Sequence, residues 1–113
     1  MSPITTHALD TSLGRPAQGL TITLSQRGAD GAWVELASGM TNDDGRITDL
    51  LEPGQLSSGV YQMCFDTGPY HHALGVEGFY PEASIVFEVK DPTQHYHIPL
   101  LISPYGYSTY RGS

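Results

Sequence analysis

Two histidines separated by one residue, His95 and His97, are the side chains of this sequence whose type and spacing most suggest chemistry. On an extended segment, residues i and i+2 point to the same side and lie about 7 Å apart along the chain. Three interpretations of the pair are open. It can consist of two surface histidines. It can offer two nitrogens to a zinc ion, with His7 as the candidate third ligand. Alternatively, His97 can act as a general acid or base, helped by His7 and an anchoring arginine.

Other polar side chains give weaker indications of a site. His71 and His72 are adjacent on a predicted helix, where they diverge by about 100°, and we expect both to be solvated. Cys64 has no basic neighbour in the sequence that would activate its thiol, so we interpret it as unreactive. The segment from Gly106 to Tyr110 lacks the second glycine of a Gly-x-Ser-x-Gly nucleophile motif. The acids before Gly45 are too few for a calcium loop and indicate a turn.

The composition limits the partners and the compartment. A length of 113 residues fits one domain, and a formal net charge of −7 argues against binding to nucleic acid or anionic membranes. We expect no membrane span and no secretory signal at the start of the chain. The single cysteine cannot form an internal disulfide, which suits a reducing compartment, and we expect a cytoplasmic protein. An arginine beside polar groups is a candidate for substrate contact, because the cations are only Arg15, Arg27, Arg46, Lys90 and Arg111.

Short alternating segments separated by turn residues run along the chain, without long helical periodicity. Gly14-Arg15-Pro16 is predicted to close the first strand, and a short helix is predicted with Pro69 at its first position and Gly75 at its end. The pattern predicts an all-β, two-sheet antiparallel sandwich of about eight strands and one short helix, as a single domain over residues 1–113. The predicted strands are Ile4–Asp10, Leu20–Gln26, Trp33–Met40, Arg46–Ile47, Val60–Asp66, Ala83–Val89, His95–Ile102 and Gly106–Arg111.

Alternation along the strand 95–102 separates a core side from a mixed side. The predicted core side is wholly apolar or aromatic and consists of Tyr96, Ile98, Leu100 and Ile102. The opposite side combines polar and apolar residues: His95, His97, Pro99 and Leu101. A mixed surface of this kind indicates a pocket or a subunit contact. The first strand carries a similar set in Thr5, His7 and Leu9, and Ser108 shares one side of the last strand with Tyr110.

Three stretches of the sequence together resemble one family. They are Thr5–Asp10, Thr41–Arg46, and the segment from His95 to the terminal Tyr110-Arg111-Gly112-Ser113. In these stretches the chain resembles the 5-hydroxyisourate hydrolases, the transthyretin-related proteins, and the likeness covers essentially the whole sequence. The terminal Tyr-Arg-Gly-Ser distinguishes these hydrolases from the hormone carriers of the same fold. The resemblance implies a transthyretin-like sandwich that assembles as a homotetramer, a dimer of dimers with its sites in a channel between the dimers.

The resemblance also implies an activity and its residues. The family opens a ring amide of 5-hydroxyisourate to give 2-oxo-4-hydroxy-4-carboxy-5-ureidoimidazoline in urate degradation, without a metal or another cofactor. Its catalytic positions fall on His7, Arg46, His97 and Tyr110, and substrate binding falls on His7, Arg46 and Tyr110, joined by Ser108 and Arg111. We favour His97 as the base, with an arginine holding the developing oxyanion. The alternative is a transthyretin-like carrier of a small hydrophobic ligand, for which Arg46 and His97 would have no use.

Overall fold

Alternating polar and apolar residues form strands over most of the chain. The computed structural model describes residues 2–112, and within them lie nine strands and one helix. The strands are β1 (Ile4–Asp10), β2 (Arg15–Pro16), β3 (Thr21–Arg27), β4 (Trp33–Met40), β5 (Arg46–Ile47), β6 (Gly59–Phe65), β7 (Ala83–Val89), β8 (Tyr96–Ser103) and β9 (Gly106–Thr109). The helix α1 spans Thr67–Ala73. No helix within the described residues combines the length and apolarity that a membrane-spanning helix requires.

The strands form two sheets, as predicted. One sheet has the order β2-β1-β8-β9, with β5 also paired to β1, and the other has the order β4-β3-β6-β7. The pairing is not antiparallel throughout, however, because β1 and β8 run parallel in a register that places Thr5 beside His97 and His7 beside Pro99. Side chains alternate between the two faces in the same way in parallel and antiparallel strands, so the sequence pattern could not show that β1 and β8 are parallel.

The core lies between the two sheets and is built by the predicted apolar sides of the strands. Side chains that are almost fully buried include Ile22 and Leu24 from β3 and Met63 and Phe65 from β6. The predicted core side of β8 is also buried, at Tyr96, Ile98, Leu100 and Ile102. Full burial of one such side chain contributes roughly 1.5–3 kcal/mol, so the register of β8 is strongly fixed. Its other side must then face outward.

Three local predictions differ from the structure. Arg15 and Pro16 do not merely close the first strand but pair with Asp10 and Leu9 as the short strand β2. The side chain of His71 is 3% exposed rather than solvated, and its ring meets that of Tyr70 edge-on at 5.3 Å. A helix of seven residues is too short for its sequence to define a buried face. The helix also begins at Thr67, two residues before the predicted start.

Helix α1 is fastened to the end of β1 by a buried carboxylate. Tyr70 Oη donates to Asp10 Oδ2 at 2.7 Å, and Asp10 Oδ1 accepts from the hydroxyl of Ser12 at 2.7 Å and from the amides of Ser12 and Leu13. Burial alone would raise the pKa of Asp10, but these hydrogen bonds outweigh it and lower the pKa below its usual range. The charged form of Asp10 therefore holds the helix, β1 and the following turn together.

Candidate active site

The outer face of the first sheet brings together residues that lie far apart in the sequence. His7 on β1 pairs with Arg46 on β5, and Thr5 on β1 pairs with His97 on β8. Residues paired across a ladder point their side chains to the same face of the sheet. Since the neighbouring positions Ile4, Thr6 and Ala8 are buried, the face shared by Thr5, His7, Arg46 and His97 is the one turned away from the core.

His97 is half-buried on this face and is held by Thr5. Its Nδ1 lies 2.8 Å from Thr5 Oγ1. Burial lowers the pKa of His97, and the charge of Arg46, followed by those of His95 and His7, lowers it further, while the main chain of Thr5 opposes the shift. The ring therefore remains neutral at pH values where an ordinary imidazole is partly protonated, and a neutral ring can accept a proton.

Arg46 is delivered to the site by a tight turn. Asn42 Oδ1 accepts from the amides of Asp44 at 2.9 Å and Arg46 at 3.0 Å, and the carbonyl of Gly45 accepts from the amide of Ala8 at 2.8 Å. Gly45 has φ +74, and any side chain at this position would run into the carbonyl oxygen of Ala8. The turn is thus locked against β1, and the exposed Arg46 stands beside His7.

The C-terminal segment crosses the start of β8 directly over His97. The amide of Gly112 donates to the carbonyl of His97 at 2.9 Å. A Cβ atom on Gly112 would lie 2.5 Å from Cδ2 of His97, so only glycine allows this approach. The guanidinium of Arg111 lies 4.5 Å from the centre of the Tyr96 ring, and its Nη2 donates to Gln94 Oε1 at 3.0 Å. In this structure Arg111 therefore fastens the segment to the sandwich.

Tyr110 and Ser108 occupy different places relative to His97. Tyr110 is 60% exposed and lines, together with His97 and Arg111, a cavity of about 250 Å³ at the edge between the two sheets. Ser108 pairs with Leu101, which puts it on the outer face but four residues beyond His97 along β8, roughly 13 Å away. Within one chain the structure brings together His7, Arg46 and His97, places Tyr110 nearby, and leaves Ser108 at a distance.

The remaining candidates contribute little to this face. Among residues 2–112 no three His, Cys, Asp or Glu side chains converge in a way that could hold a metal ion. Cys64 lies outside the core, and burial raises the pKa of its thiol, which leaves it in the less nucleophilic protonated form. Sequence reasoning missed the roles of Thr5 and Gly112, because both depend on the parallel register of β1 and β8 and on the path of the last residues.

The fold and the site together define a two-sheet β-sandwich that presents imidazole and guanidinium groups on one outer sheet face. Comparison with known proteins specifies it: the chain belongs to the HIUase/Transthyretin family, whose model matches residues 4–112. This confirms the resemblance found in the sequence.

Relatives and solved structures match over nearly the whole chain. The 5-hydroxyisourate hydrolase of Mus musculus is 50% identical over 113 residues, covering 99% of this chain and 96% of the mouse protein. The 5-hydroxyisourate hydrolase of Pseudomonas aeruginosa is 42% identical over 119 residues, covering 100% of this chain and 93% of its own length. Sea bream transthyretin, solved in complex with thyroxine, has a TM-score of 0.93 at 35% identity and covers 98% of this chain and 95% of its own. The transthyretin-like sandwich is thereby confirmed.

Proposed function

We infer that this chain hydrolyses 5-hydroxyisourate, opening a ring amide to give 2-oxo-4-hydroxy-4-carboxy-5-ureidoimidazoline in urate degradation. The observation that carries the inference is the shared outer face, on which the half-buried His97 lies near His7 and Arg46. The hydrolase names of the similar proteins from mouse and Pseudomonas aeruginosa support the same activity.

The geometry suggests how the residues share the reaction. Thr5 engages Nδ1 of His97, so Nε2 is the nitrogen left to take a proton from water. The resulting hydroxide forms a C–O bond with the amide carbon, and Arg46 stabilises the negative charge that develops on the carbonyl oxygen. The C–N bond then breaks, and the leaving nitrogen receives a proton, for which His7 is the neighbouring donor. Tyr110 binds the substrate from the C-terminal segment.

A carrier of a small hydrophobic ligand is the competing function, because the sea bream protein of the same fold was solved with thyroxine. The two functions place opposite demands on the outer face. A carrier needs an apolar surface, whereas here the positive charge of Arg46 lies close enough to lower the pKa of His97. We therefore favour the hydrolase.

We further propose that the chain acts as a cytoplasmic homotetramer whose outer faces line a channel between dimers. The half-buried Leu9 and Leu101 extend the outer face with apolar surface beside the polar site. The edge strands β7 and β9 flank the cavity that is lined by His97 and Tyr110, and each offers unpaired backbone groups to a second copy. Light scattering should report a tetramer, and a fully active monomer would contradict the proposal.

The activity is tested by the ultraviolet decay of freshly generated 5-hydroxyisourate. The protein should speed this decay well beyond the spontaneous rate, and dialysis against a chelator should leave the rate unchanged, because the proposed steps use only side chains. Equal decay with and without the protein would refute the proposed function. A loss of rate that added zinc restores would instead favour the zinc interpretation of the histidine pair.

A further inference from the structure

A single hydroxyl group contacts two imidazoles of the outer face. Thr5 Oγ1 lies 2.8 Å from Nδ1 of His97 and 3.2 Å from Nε2 of His95. Thr5 is 9% exposed, whereas His95 is exposed just before β8. The hydroxyl therefore connects a half-buried ring to a ring that is exposed to water.

The hydrogen bonds of this trio are directional, because the Thr5 hydroxyl carries one proton and can donate only once. When Nε2 of His95 is unprotonated, it accepts the Thr5 proton, and Thr5 Oγ1 accepts in turn from Nδ1–H of His97. When His95 is protonated, both of its nitrogens are donors. Nε2–H then donates to Thr5, which makes the Thr5 oxygen a poorer acceptor and its hydroxyl a better donor, and this favours donation of the Thr5 proton to Nδ1 of His97.

The two arrangements leave opposite tautomers on His97. In the first arrangement the proton of the neutral ring is on Nδ1, and Nε2 has a free lone pair that can accept a proton from water. In the second arrangement Nε2 carries the proton, and the ring cannot act as a base through that nitrogen. The exchange moves only protons, along the hydrogen bonds and to or from water. No bond between heavy atoms is made or broken.

We propose that Thr5 is a positioning residue that couples the protonation of His95 to the tautomer of His97, so that a proton on His95 removes the general base without charging His97. This inference rests on the proposed function only for its consequence in catalysis. The coupling itself is a property of the three side chains and can be measured without substrate.

The surrounding charges allow such a coupling. The titratable or charged groups that face His97 are His7 on β1, Arg46 on β5, His95 before β8, Glu88 on β7 across the cavity, and Tyr110 and Arg111 after β9. Burial and its positive neighbours lower the pKa of His97, so its ring is still neutral at pH values where an ordinary exposed imidazole gains its proton. In that interval the tautomer, and not the charge, decides whether His97 can accept a proton.

Two charged side chains of this region, Asp91 and Arg111, are already engaged. Asp91 Oδ1 accepts from the amide of Thr93 at 2.9 Å and from its hydroxyl at 2.6 Å, and Arg111 is held on Gln94. Thr5 Oγ1 is the hydrogen-bond partner of His95 Nε2, at 3.2 Å.

The test reads the His97 tautomer directly from the ring nitrogen chemical shifts of the nitrogen-15-labelled protein. In the wild type at neutral pH we expect the Nδ1–H tautomer to dominate, and lowering the pH should convert it to the Nε2–H tautomer before the ring is charged. Thr5→Val removes the hydroxyl at nearly constant volume and should lower the ratio of the two tautomers by roughly 2- to 13-fold, the range set by one neutral hydrogen bond. Thr5→Ser restores the hydroxyl and should restore the ratio.

His95→Gln separates coupling from mere packing, because the amide can form a hydrogen bond but cannot titrate. In this variant the pH-driven exchange of the His97 tautomer should disappear. Hydrolysis by Thr5→Val should show a kcat lower in proportion to the fall in the fraction of His97 that has the Nδ1–H tautomer, with KM within about two-fold of wild type, since Thr5 is not proposed to touch substrate. An unchanged tautomer ratio in Thr5→Val, or an exchange that persists in His95→Gln, would overturn the proposal. Failure of the wild type to hydrolyse 5-hydroxyisourate would refute the proposed function alone.

Discussion

Gly112→Ala should damage catalysis by displacing His97. The added Cβ would lie 2.5 Å from Cδ2 of the His97 ring and 3.3 Å from Cγ of Pro99, whereas carbon atoms in favourable contact are about 3.5–4.0 Å apart. The His97 ring and the segment around Gly112 must therefore separate by about 1 Å, and we expect the ring to be displaced. Its 2.8 Å hydrogen bond to Thr5 would then stretch beyond the range of a hydrogen bond.

A displacement of this size has a large effect on rate but a small one on stability. Misplacing a reacting group by about 1 Å can cost on the order of 10²-fold, which corresponds to about 2.7 kcal/mol of activation free energy. Gly112 lies at the end of the described chain on the sheet edge, so the free energy of unfolding should hardly change. The expected result is a kcat lower by roughly 10- to 100-fold in the 5-hydroxyisourate assay, with an unchanged midpoint of thermal unfolding.

Gly106→Ala is the matched control for this experiment. Gly106 lies in the same C-terminal segment, but its added Cβ would meet only Ser103 Oγ, at an ordinary distance of 3.8 Å. This control should have near wild-type turnover. If Gly112→Ala also retains wild-type kcat and KM, the last residues do not position His97, and the reasoning from this close approach fails.

Four further predictions concern the chemistry and the fold. His97→Asn should lower turnover by roughly 10²- to 10⁴-fold while the fold persists, and near-normal turnover would remove His97 from the role of base. Arg46→Lys should lower turnover by roughly 10²-fold or more despite the unchanged net charge, because an ammonium lacks the planar fork of a guanidinium. Turnover equal to wild type in both Arg46→Lys and Arg46→Ala would exclude the oxyanion role. Because the pKa of His97 is lowered and the base must be neutral, kcat/KM should fall only below about pH 6.5, and a fall that begins above it would contradict the assignment. Tyr70→Phe should lower the free energy of unfolding by about 1–3 kcal/mol, measured by urea denaturation at pH 7, since it removes the 2.7 Å hydrogen bond to buried Asp10. Because the pKa of Asp10 is lowered in the folded state, its charge contributes stability above the pKa of an unfolded aspartate, and this stability is lost as the pH falls through the folded pKa. The loss of unfolding free energy at acid pH should therefore be smaller in Tyr70→Phe than in the wild type.

The sequence predicted well those features that depend on side-chain alternation. The bounds of Ile4–Asp10, Trp33–Met40 and Ala83–Val89 were predicted as observed, because each is a long alternating segment between turn residues. The core side of β8 was predicted for the same reason: a one-residue slip would turn Ile98 and Leu100 toward solvent. The turn before Arg46 was also recognised, since the sequence Asn-Asp-Asp-Gly strongly favours one.

Features that depend on contacts between distant parts of the chain were not predicted. The parallel pairing of β1 with β8 leaves no trace in alternation, so the hydrogen bond of Thr5 to His97 was not foreseen. The burial of His71 depends on how a two-turn helix docks on the sandwich. The contact of Arg111 with Tyr96 depends on the path of the last residues, which has no periodicity.

The parallel pair of β1 and β8 has a consequence for how the protein is made. β1 pairs with β2 and β5 on one side, but its other partner lies about ninety residues later, so its longest ladder cannot form until β8 has been synthesised. The other sheet consists of β3, β4, β6 and β7 and is complete earlier, so on the ribosome we expect it to fold first. His7 and His97 meet only across that last ladder. A nascent chain that lacks β8 therefore has the pair of His7 and Arg46 but not His97, so the proposed site cannot be complete before β8 has been synthesised.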